Sequence, residues 1–239
     1  MSAKPFQVVR DLEAELCAYT GAPFAVTVNS CTMALLLAVA WHLREGRLWT
    51  LDGRPCKVIA SDTPCVVVRS ELKQCIEIPK RTYISVPMSI IHAGGRPTFS
   101  DEDWRGAYQL KPLPVWDSAR WFTSNLYHEI TLRGGGWKAP HPMVCASFQA
   151  SKTLGDSQGG AILHDDPEAD AWLRRARFDG RTEGVAPKDD DFRQIGWHCY
   201  MSPDVAARLL HKLSVLPRHN APLPNDPYPD LSLMRIFKC

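Results

Sequence analysis

The sequence shows no signal-peptide pattern at its start, no long apolar run and little net charge. Its N-terminus lacks the charged and apolar regions of a secretory leader, so a cytoplasmic location is expected. The longest apolar run, residues 33–41, is too short to span a bilayer, and no membrane segment is expected. The net charge of +2 creates no large field, so the charge does not imply a nucleic-acid partner.

Paired cysteines are also missing. The eight cysteines form no C-x-x-C pair and no regular framework, which indicates reduced thiols. Cys56, Cys65 and Cys75 lie nine and ten residues apart, whereas structural zinc ligands usually come in close pairs. The spacing favours small buried side chains over metal ligands, and no metal site is predicted.

The residues that are present have the composition and alternation of a globular α/β protein. With 239 residues, 45% of them hydrophobic, the chain is long enough to bury a sizeable core. Helices are predicted over residues 6–19, 32–44, 83–93, 169–177 and 203–213, and strands over 24–28, 74–78, 97–99, 113–116, 143–148 and 161–163. This alternation predicts an α/β layer fold with a parallel sheet, in which ligands bind at the carboxyl ends of the strands.

Two segments depart from the alternation. Residues 45–70 read as an inserted hairpin, with Asp52-Gly53-Arg54 at its turn and a further short strand at residues 66–68. The tail, residues 216–239, contains five of the nineteen prolines and is predicted to wrap a surface without regular structure. The domain boundary is therefore expected near residue 215.

Polar residues with distinct chemistry follow the predicted strands. Lys152 comes after a buried strand and before a glycine-rich loop, where a lysine amine can form an imine, although an ordinary loop lysine explains the segment as well. Asp117 ends a strand, where a desolvated carboxylate needs a cation or donor, unless it caps a helix or joins a structural ion pair. Cys31 and Thr32 begin a helix that can bind phosphate, and Ser147 adds a hydroxyl, but a plain helix cap fits these residues too.

Four blocks in order carry a family resemblance: VNSCTMALLLAV, PKRTYIS, WDSAR, and SFQASK followed by GGA. Together they resemble the DegT/DnrJ/EryC1/StrS family of sugar aminotransferases, which depend on pyridoxal 5′-phosphate (PLP), over roughly residues 13–213. The resemblance implies the large domain of aspartate aminotransferase-like enzymes: three layers, with a mainly parallel sheet and helices on both faces.

The resemblance also implies roles for single residues. Cys31, Thr32 and Ser147 would hold the cofactor phosphate, and Tyr83 would stack on the pyridine ring. Asp117 would pair with the ring nitrogen, and Lys152 would form the Schiff base with the aldehyde. PLP enzymes of this type share an active site between two subunits, so a homodimer is implied.

The sequence departs from the family pattern in three places. Arg120 replaces a histidine or glutamine near the cofactor's phenolic oxygen, where it would stabilise the phenolate or meet a substrate carboxylate. In the late block Asn and Arg become His198 and Tyr200; His198 would still reach the partner's phosphate, or would be a packed histidine. The sequence ends soon after the predicted helix at 203–213, so most of the family's small C-terminal domain is expected to be absent.

The resulting hypothesis is an aminotransferase that moves an amino group from a small-molecule amino donor to a keto-sugar or other carbonyl acceptor. A PLP-dependent decarboxylase or lyase acting on an amino acid, free or attached to a nucleotide or polymer, is the first alternative, because Arg120 would orient a carboxylate. A degenerate binding subunit is the second, because the late block and the small domain are altered.

Overall fold

The computed structural model describes residues 6–44, 47–50, 55–56, 73–133 and 141–238. The helices are α1 (Gln7–Thr20), α2 (Cys31–Leu43), α3 (Ser85–His92), α4 (Leu126–Arg133), α5 (Pro167–Ala176) and α6 (Pro203–Ser214). The strands are β1 (Phe24–Val28), β2 (Leu48–Trp49), β3 (Pro55–Cys56), β4 (Cys75–Pro79), β5 (Arg96–Ser100), β6 (Tyr108–Gln109), β7 (Val115–Asp117), β8 (Met143–Ser147) and β9 (Gly160–His164). Over these ranges, no helix is both long and apolar enough to cross a membrane.

The central sheet has five strands in the order β1-β9-β8-β7-β6. β7 and β8 are parallel, while β9 runs antiparallel to both of its neighbours, β1 and β8. β1, β8 and β7 therefore share one direction. A separate parallel pair, β4 and β5, is joined to the segment before β7 by the hydrogen bond from Glu77 N to Lys111 O, 2.7 Å.

The direction of β9 corrects one expectation. Its residues were expected to form a further strand of a parallel sheet, but the strand is antiparallel to β8. A parallel neighbour needs a crossover connection, usually a helix, whereas residues 148–159 fold back as a loop without one. This return loop carries Lys152.

Both faces of the sheet are covered by helices, which confirms the three-layer α/β architecture. Alternate residues of β8 show the division. Met143 and Cys145 pack in the cluster formed with α2, α3 and α5, whereas Val144 and Ala146 pack in the cluster formed with α1, α4 and α6. A strand buried on both sides has no polar face, which is why its sequence is a continuous apolar run.

A buried ion cluster closes the β1 edge of the sheet. Glu13 of α1 accepts hydrogen bonds from Thr27 N (3.0 Å) and from Arg174 NH1 (2.6 Å), and it also pairs with Arg177. Arg174 donates to Ala25 O (3.3 Å) and Arg177 to Thr27 O (2.6 Å). The side chains thus satisfy backbone groups of an edge strand that would otherwise lack partners.

The inserted segment and the tail are only partly described. β2 pairs with β3 in antiparallel register, Leu48 opposite Cys56, as the predicted hairpin requires. The predicted turn at residues 52–54 and the predicted strand at 66–68 lie outside the described residues. The tail contains two single-turn 3₁₀ helices, Leu231–Leu233 and Arg235–Phe237, which the composition did not predict.

Candidate active site

A cavity of about 360 Å³ opens at the ends of β7 and β8, beside the N-terminus of α2. Seven of the eight predicted site residues line it: Cys31, Thr32, Tyr83, Asp117, Arg120, Ser147 and Lys152. Its volume lies within the range of small-molecule sites, roughly 300–1,000 Å³. The fold therefore brings together residues that are far apart in the sequence.

Lys152 lies in the loop that follows β8. Phe148 anchors the start of this loop in the core, and Lys152 N donates to Gln149 O (2.8 Å), which closes a turn. Burial lowers the pKa of the Lys152 amine, and the charge of Arg120 lowers it further, whereas Asp117 and Asp226 oppose the shift. In the part of the chain that the structure describes, no side chain pairs with this amine. A lowered pKa favours the deprotonated amine, which is the nucleophilic form of a lysine.

Asp117 is the last residue of β7, and its side chain is buried, 5% exposed. One carboxylate oxygen accepts from Tyr108 OH (2.8 Å) and the other from Ala119 N (2.9 Å). Burial raises the pKa of Asp117, while these two hydrogen bonds and the charge of Lys152 lower it. Both of these donors are neutral, and among the described residues no cation bonds to the buried Asp117 carboxylate. A protonated ring nitrogen of a ligand would supply one.

The start of α2 provides groups for an anion. Ser30 caps the helix by accepting from Met33 N (3.3 Å), and the Thr32 hydroxyl lies 2.9 Å from that of Ser85 in the first turn of α3. Two helices thus begin beside the cavity, and unpaired amides at helix starts favour phosphate. Ser147, at the end of β8, adds a buried hydroxyl.

Gly160 brings β9 against this helix start. A Cβ at position 160 would lie 2.6 Å from Cys31 N and 2.7 Å from Ser30 C, both backbone atoms that cannot move independently. The second glycine of the GGA block is therefore required by close approach of two backbones rather than by an unusual φ angle.

We expect Gly160→Ala to destabilise the protein by about 1–3 kcal/mol, since the methyl group forces β9 and α2 apart. Urea unfolding of the purified variant measures the effect. Gly95→Ala is the matched control, because a Cβ there meets methyl groups of the Ile76 and Ile90 side chains at 3.0 Å and comes no nearer than 3.3 Å to the backbone, at Ile90 O. An equal loss in both variants would contradict the explanation.

Tyr83 and Cys31 occupy contrasting positions in the wall. Tyr83 lies two residues before the start of α3 and is 58% exposed, so its ring is free to cover a bound planar group. Cys31 is buried with its Sγ 3.8 Å from Cys145 O, and burial raises the pKa of its thiol well above the ordinary value. Cys31 therefore stays protonated and serves as packing rather than as a nucleophile.

Arg120 lies three residues after Asp117, and its side chain is 7% exposed. Its NH1 donates to Asp226 Oδ2 (3.0 Å) and its NH2 to Pro224 O, both in the tail. The sequence placed Arg120 near the cofactor's oxygen or a substrate carboxylate; the structure adds that the tail supplies its present partners.

The tail and one aromatic residue contribute parts of the wall that sequence analysis missed. Asp226 and Tyr228 line the cavity together with Trp104, whose indole N–H donates to Arg81 O (2.9 Å). The Trp104 ring lies 6.4 Å from that of Tyr228 and is nearly parallel to it. No local motif marks these residues, because their position depends on how the tail folds back.

His198 lies outside this cavity. Its Nδ1 is 2.8 Å from Asp179 Oδ2, and the side chain is mostly exposed. The resemblance assigns it to a partner's phosphate, and this role stays a prediction. Across the described ranges, no group of three or more histidine, cysteine or acidic side chains is arranged to hold a metal ion.

Comparison with solved structures defines the class of the fold. DesV of S. venezuelae, in complex with a ketimine intermediate, has 20% identity and a TM-score of 0.58, over 87% of this chain and 57% of that chain. The sugar aminotransferase CalS13 from Micromonospora echinospora has 18% identity and a TM-score of 0.60, over 87% and 60%. GDP-4-keto-6-deoxymannose-3-dehydratase (ColD) with bound GDP-perosamine has 18% identity and a TM-score of 0.61, over 88% and 61%. The fold is that of PLP-dependent aminotransferases.

The family model of the DegT/DnrJ/EryC1/StrS aminotransferases matches residues 4–47, a segment that contains α1, β1 and α2. This match confirms the resemblance over the first of the four sequence blocks, which lies within the matched segment. The curated proteins contain no match. The chain spans about three fifths of the length of the three structures described above.

Proposed function

We propose that this chain is a PLP-dependent aminotransferase that transfers an amino group between an amino acid and a keto-sugar or other carbonyl compound. The observation that carries the proposal is that one cavity contains the buried carboxylate of Asp117 and the amine of Lys152, with which no described side chain pairs. These two groups would serve opposite sides of one ligand. The Lys152 amine would meet the aldehyde, and the Asp117 carboxylate would meet the ring nitrogen.

The residues of the cavity fit that cofactor. Lys152 would hold the aldehyde carbon as a Schiff base, and Asp117 would keep the ring nitrogen protonated. Thr32 and Ser147 would bind the phosphate beside the start of α2, and Tyr83 would cover the ring. When bound, PLP supplies an electron sink for the bond broken at the substrate carbon. The Lys152 amine would also be placed to act as the general base that holds or moves a proton at the substrate carbon.

The carbonyl substrate is proposed from the neighbours. CalS13 is a sugar aminotransferase, and the ColD structure contains GDP-perosamine, so sugar substrates fit this fold. A cytoplasmic homodimer is proposed as well. Two residues support the dimer, because both Tyr83 at the cavity rim and His198 are left exposed by a single chain.

Trapping the cofactor tests the proposal. Borohydride reduction of protein purified with PLP is expected to add the pyridoxyl phosphate mass to the peptide that contains Lys152, because the reagent reduces the imine to a stable amine. Peptide mass spectrometry locates the adduct. Lys212 of α6 is an internal control. Its Nζ donates to Gly155 O of the loop that carries Lys152, so this amine already has a partner and should stay unmodified. An unmodified Lys152 peptide would reject the proposal.

Product analysis then separates the reactions. Transamination gives a keto acid from the amino donor, whereas decarboxylation gives carbon dioxide and no keto acid. A protein that stays colourless when given PLP would indicate the binding-subunit alternative.

A further inference from the structure

Tyr108 is a buried tyrosine behind the cavity wall, next to Asp117. It belongs to β6 and stands directly opposite Asp117 of β7 in the antiparallel register, so the two side chains lie on the same face of the sheet. Tyr108 is 2% exposed, and the Trp104 ring packs against it with 4.7 Å between ring centroids. Trp104 and Thr82 line the cavity in front of it. The phenol can therefore act on a bound ligand only through Asp117.

The hydrogen bonds of Tyr108 have a defined direction. Its hydroxyl oxygen is 2.8 Å from Asp117 Oδ2 and 2.6 Å from Thr82 Oγ1. An ionised carboxylate only accepts hydrogen bonds, so the phenol proton points at Asp117 and the Thr82 hydroxyl donates to the phenol oxygen. Thr82 is itself buried, and two hydrogen bonds in series strengthen each other.

This donor is permanent. Burial and the charge of Asp117 raise the pKa of Tyr108 well above its ordinary value, so the phenol keeps its proton. Burial also raises the pKa of Asp117, and the hydrogen bonds from Ala119 N and from Tyr108 oppose that rise. The first of these bonds comes from the backbone, and the second comes from a side chain that a substitution can remove.

Few charges share this control of Asp117. Besides Tyr108, the titratable groups that act on Asp117 from the elements around it are Cys31 of α2, Cys145 of β8, Lys152 of the return loop and Tyr228 of the tail. Burial raises the pKa of both thiols well above the ordinary value and the pKa of Tyr228 to about 12, so these three groups stay neutral. Of the four, Lys152 alone carries a charge.

We propose that Tyr108, backed by Thr82, is a positioning residue that holds the Asp117 carboxylate in the acceptor form and orientation that a protonated ring nitrogen requires. This inference rests on the proposed function, because the ring nitrogen belongs to PLP. Tyr108 engages Oδ2 and Ala119 N engages Oδ1, so the carboxylate cannot rotate without breaking both bonds. Its remaining lone pairs are therefore presented to the cavity in one fixed orientation.

Infrared spectroscopy of the complete chain without PLP tests the hydrogen bond directly. The carbonyl stretch of a protonated carboxyl group that disappears in Asp117→Asn reports the protonation of Asp117 as the pH is varied. Tyr108→Phe is expected to lower the acid dissociation constant of Asp117 about tenfold, the size of a hydrogen bond to a charged group. Thr82→Val removes the donor behind the phenol and is expected to lower the constant about twofold.

The pH profile of turnover in the PLP-bound protein separates positioning from structural damage. Amino-group transfer needs ionised Asp117, so the acid limb of the kcat profile of Tyr108→Phe should move to higher pH by the same factor, and raising the pH should restore activity. A general loss of packing would lower kcat equally at every pH. Tyr127→Phe is the matched control. Tyr127 is also buried, but its hydroxyl donates to Pro142 O (3.3 Å), so the substitution should leave both measurements unchanged.

An unchanged dissociation constant of Asp117 in Tyr108→Phe would overturn the proposal, and so would an equal change in Tyr127→Phe. If Tyr108→Phe does not fold, an unchanged constant in Thr82→Val overturns it instead. Borohydride trapping keeps the two claims apart. An adduct at Lys152 of the wild type with an unchanged constant in Tyr108→Phe rejects only the positioning role. A wild type without the adduct rejects the proposed function, and with it the ring nitrogen that Tyr108 would serve.

Discussion

Lys152→Ala is expected to lower amino-group transfer by about 10³-fold or more, because it removes both the covalent anchor and the general base. No side chain among the described residues pairs with its amine, whose charge lowers the pKa of Asp117. Folding should therefore be retained. Steady-state turnover with an amino acid and a carbonyl acceptor measures the loss, and circular dichroism checks the fold.

Lys152→Arg separates charge from chemistry. Arginine keeps a cation beside Asp117 but does not form an imine with the aldehyde. The activity of Lys152→Arg should therefore be as low as that of Lys152→Ala. A small amine such as methylamine should restore part of the activity of Lys152→Ala by moving the proton in place of the lysine. Turnover near the wild-type level in either variant would show that the imine is not required.

Glu13→Gln is expected to cost about 3 kcal/mol of unfolding free energy, because the change removes the carboxylate that Arg174 and Arg177 share and leaves each with one other acid, Asp170 and Glu183. Burial by itself would raise the pKa of Glu13, but Arg177 and Arg174 lower it to about 2. The size of this lowering of the Glu13 pKa shows how strongly the ion cluster depends on the ionised form of Glu13. Urea unfolding at pH 7 measures the cost.

The ion cluster around Glu13 also predicts how the stability of the protein changes with pH. The folded pKa of Glu13, about 2, lies below its ordinary value of 4.5, so the stabilisation is fully present above pH 4.5 and is lost as the pH falls toward 2. The shift corresponds to about 3 kcal/mol at most. The stability difference between wild type and Glu13→Gln should therefore shrink between pH 5 and pH 3.

Glu15→Gln is the matched control for this prediction. It lies on the same helix, α1, but its side chain is exposed, so the substitution should change unfolding by less than about 0.5 kcal/mol. If Glu13→Gln behaves like Glu15→Gln at every pH, the buried cluster does not stabilise the fold.

Local patterns predicted most of the scaffold. The strand Phe24–Val28 matches its predicted bounds, and the helix that follows differs by one residue at each end. Lys152 and Asp117 were located from sequence because a polar residue after an apolar strand is recognisable within a few positions. The fold then requires such residues to lie near each other at the ends of neighbouring strands.

Long-range features could not be predicted in the same way. The reversal of β9 depends on how residues 148–159 turn back. The contact between Asp226 and Arg120 joins residues that are 106 positions apart in the sequence. Neither periodicity nor composition reports such pairings. Proline content correctly indicated irregular backbone, but not which surface it would cover.

The ion cluster around β1 has a consequence for assembly. Strands at the border of a sheet invite another chain to add alongside, and this border is already occupied by the side chains of α1 and α5. A second copy therefore cannot lengthen the sheet past Thr27 without displacing charged groups from the protein interior. The β1 edge is therefore closed to strand addition by another chain.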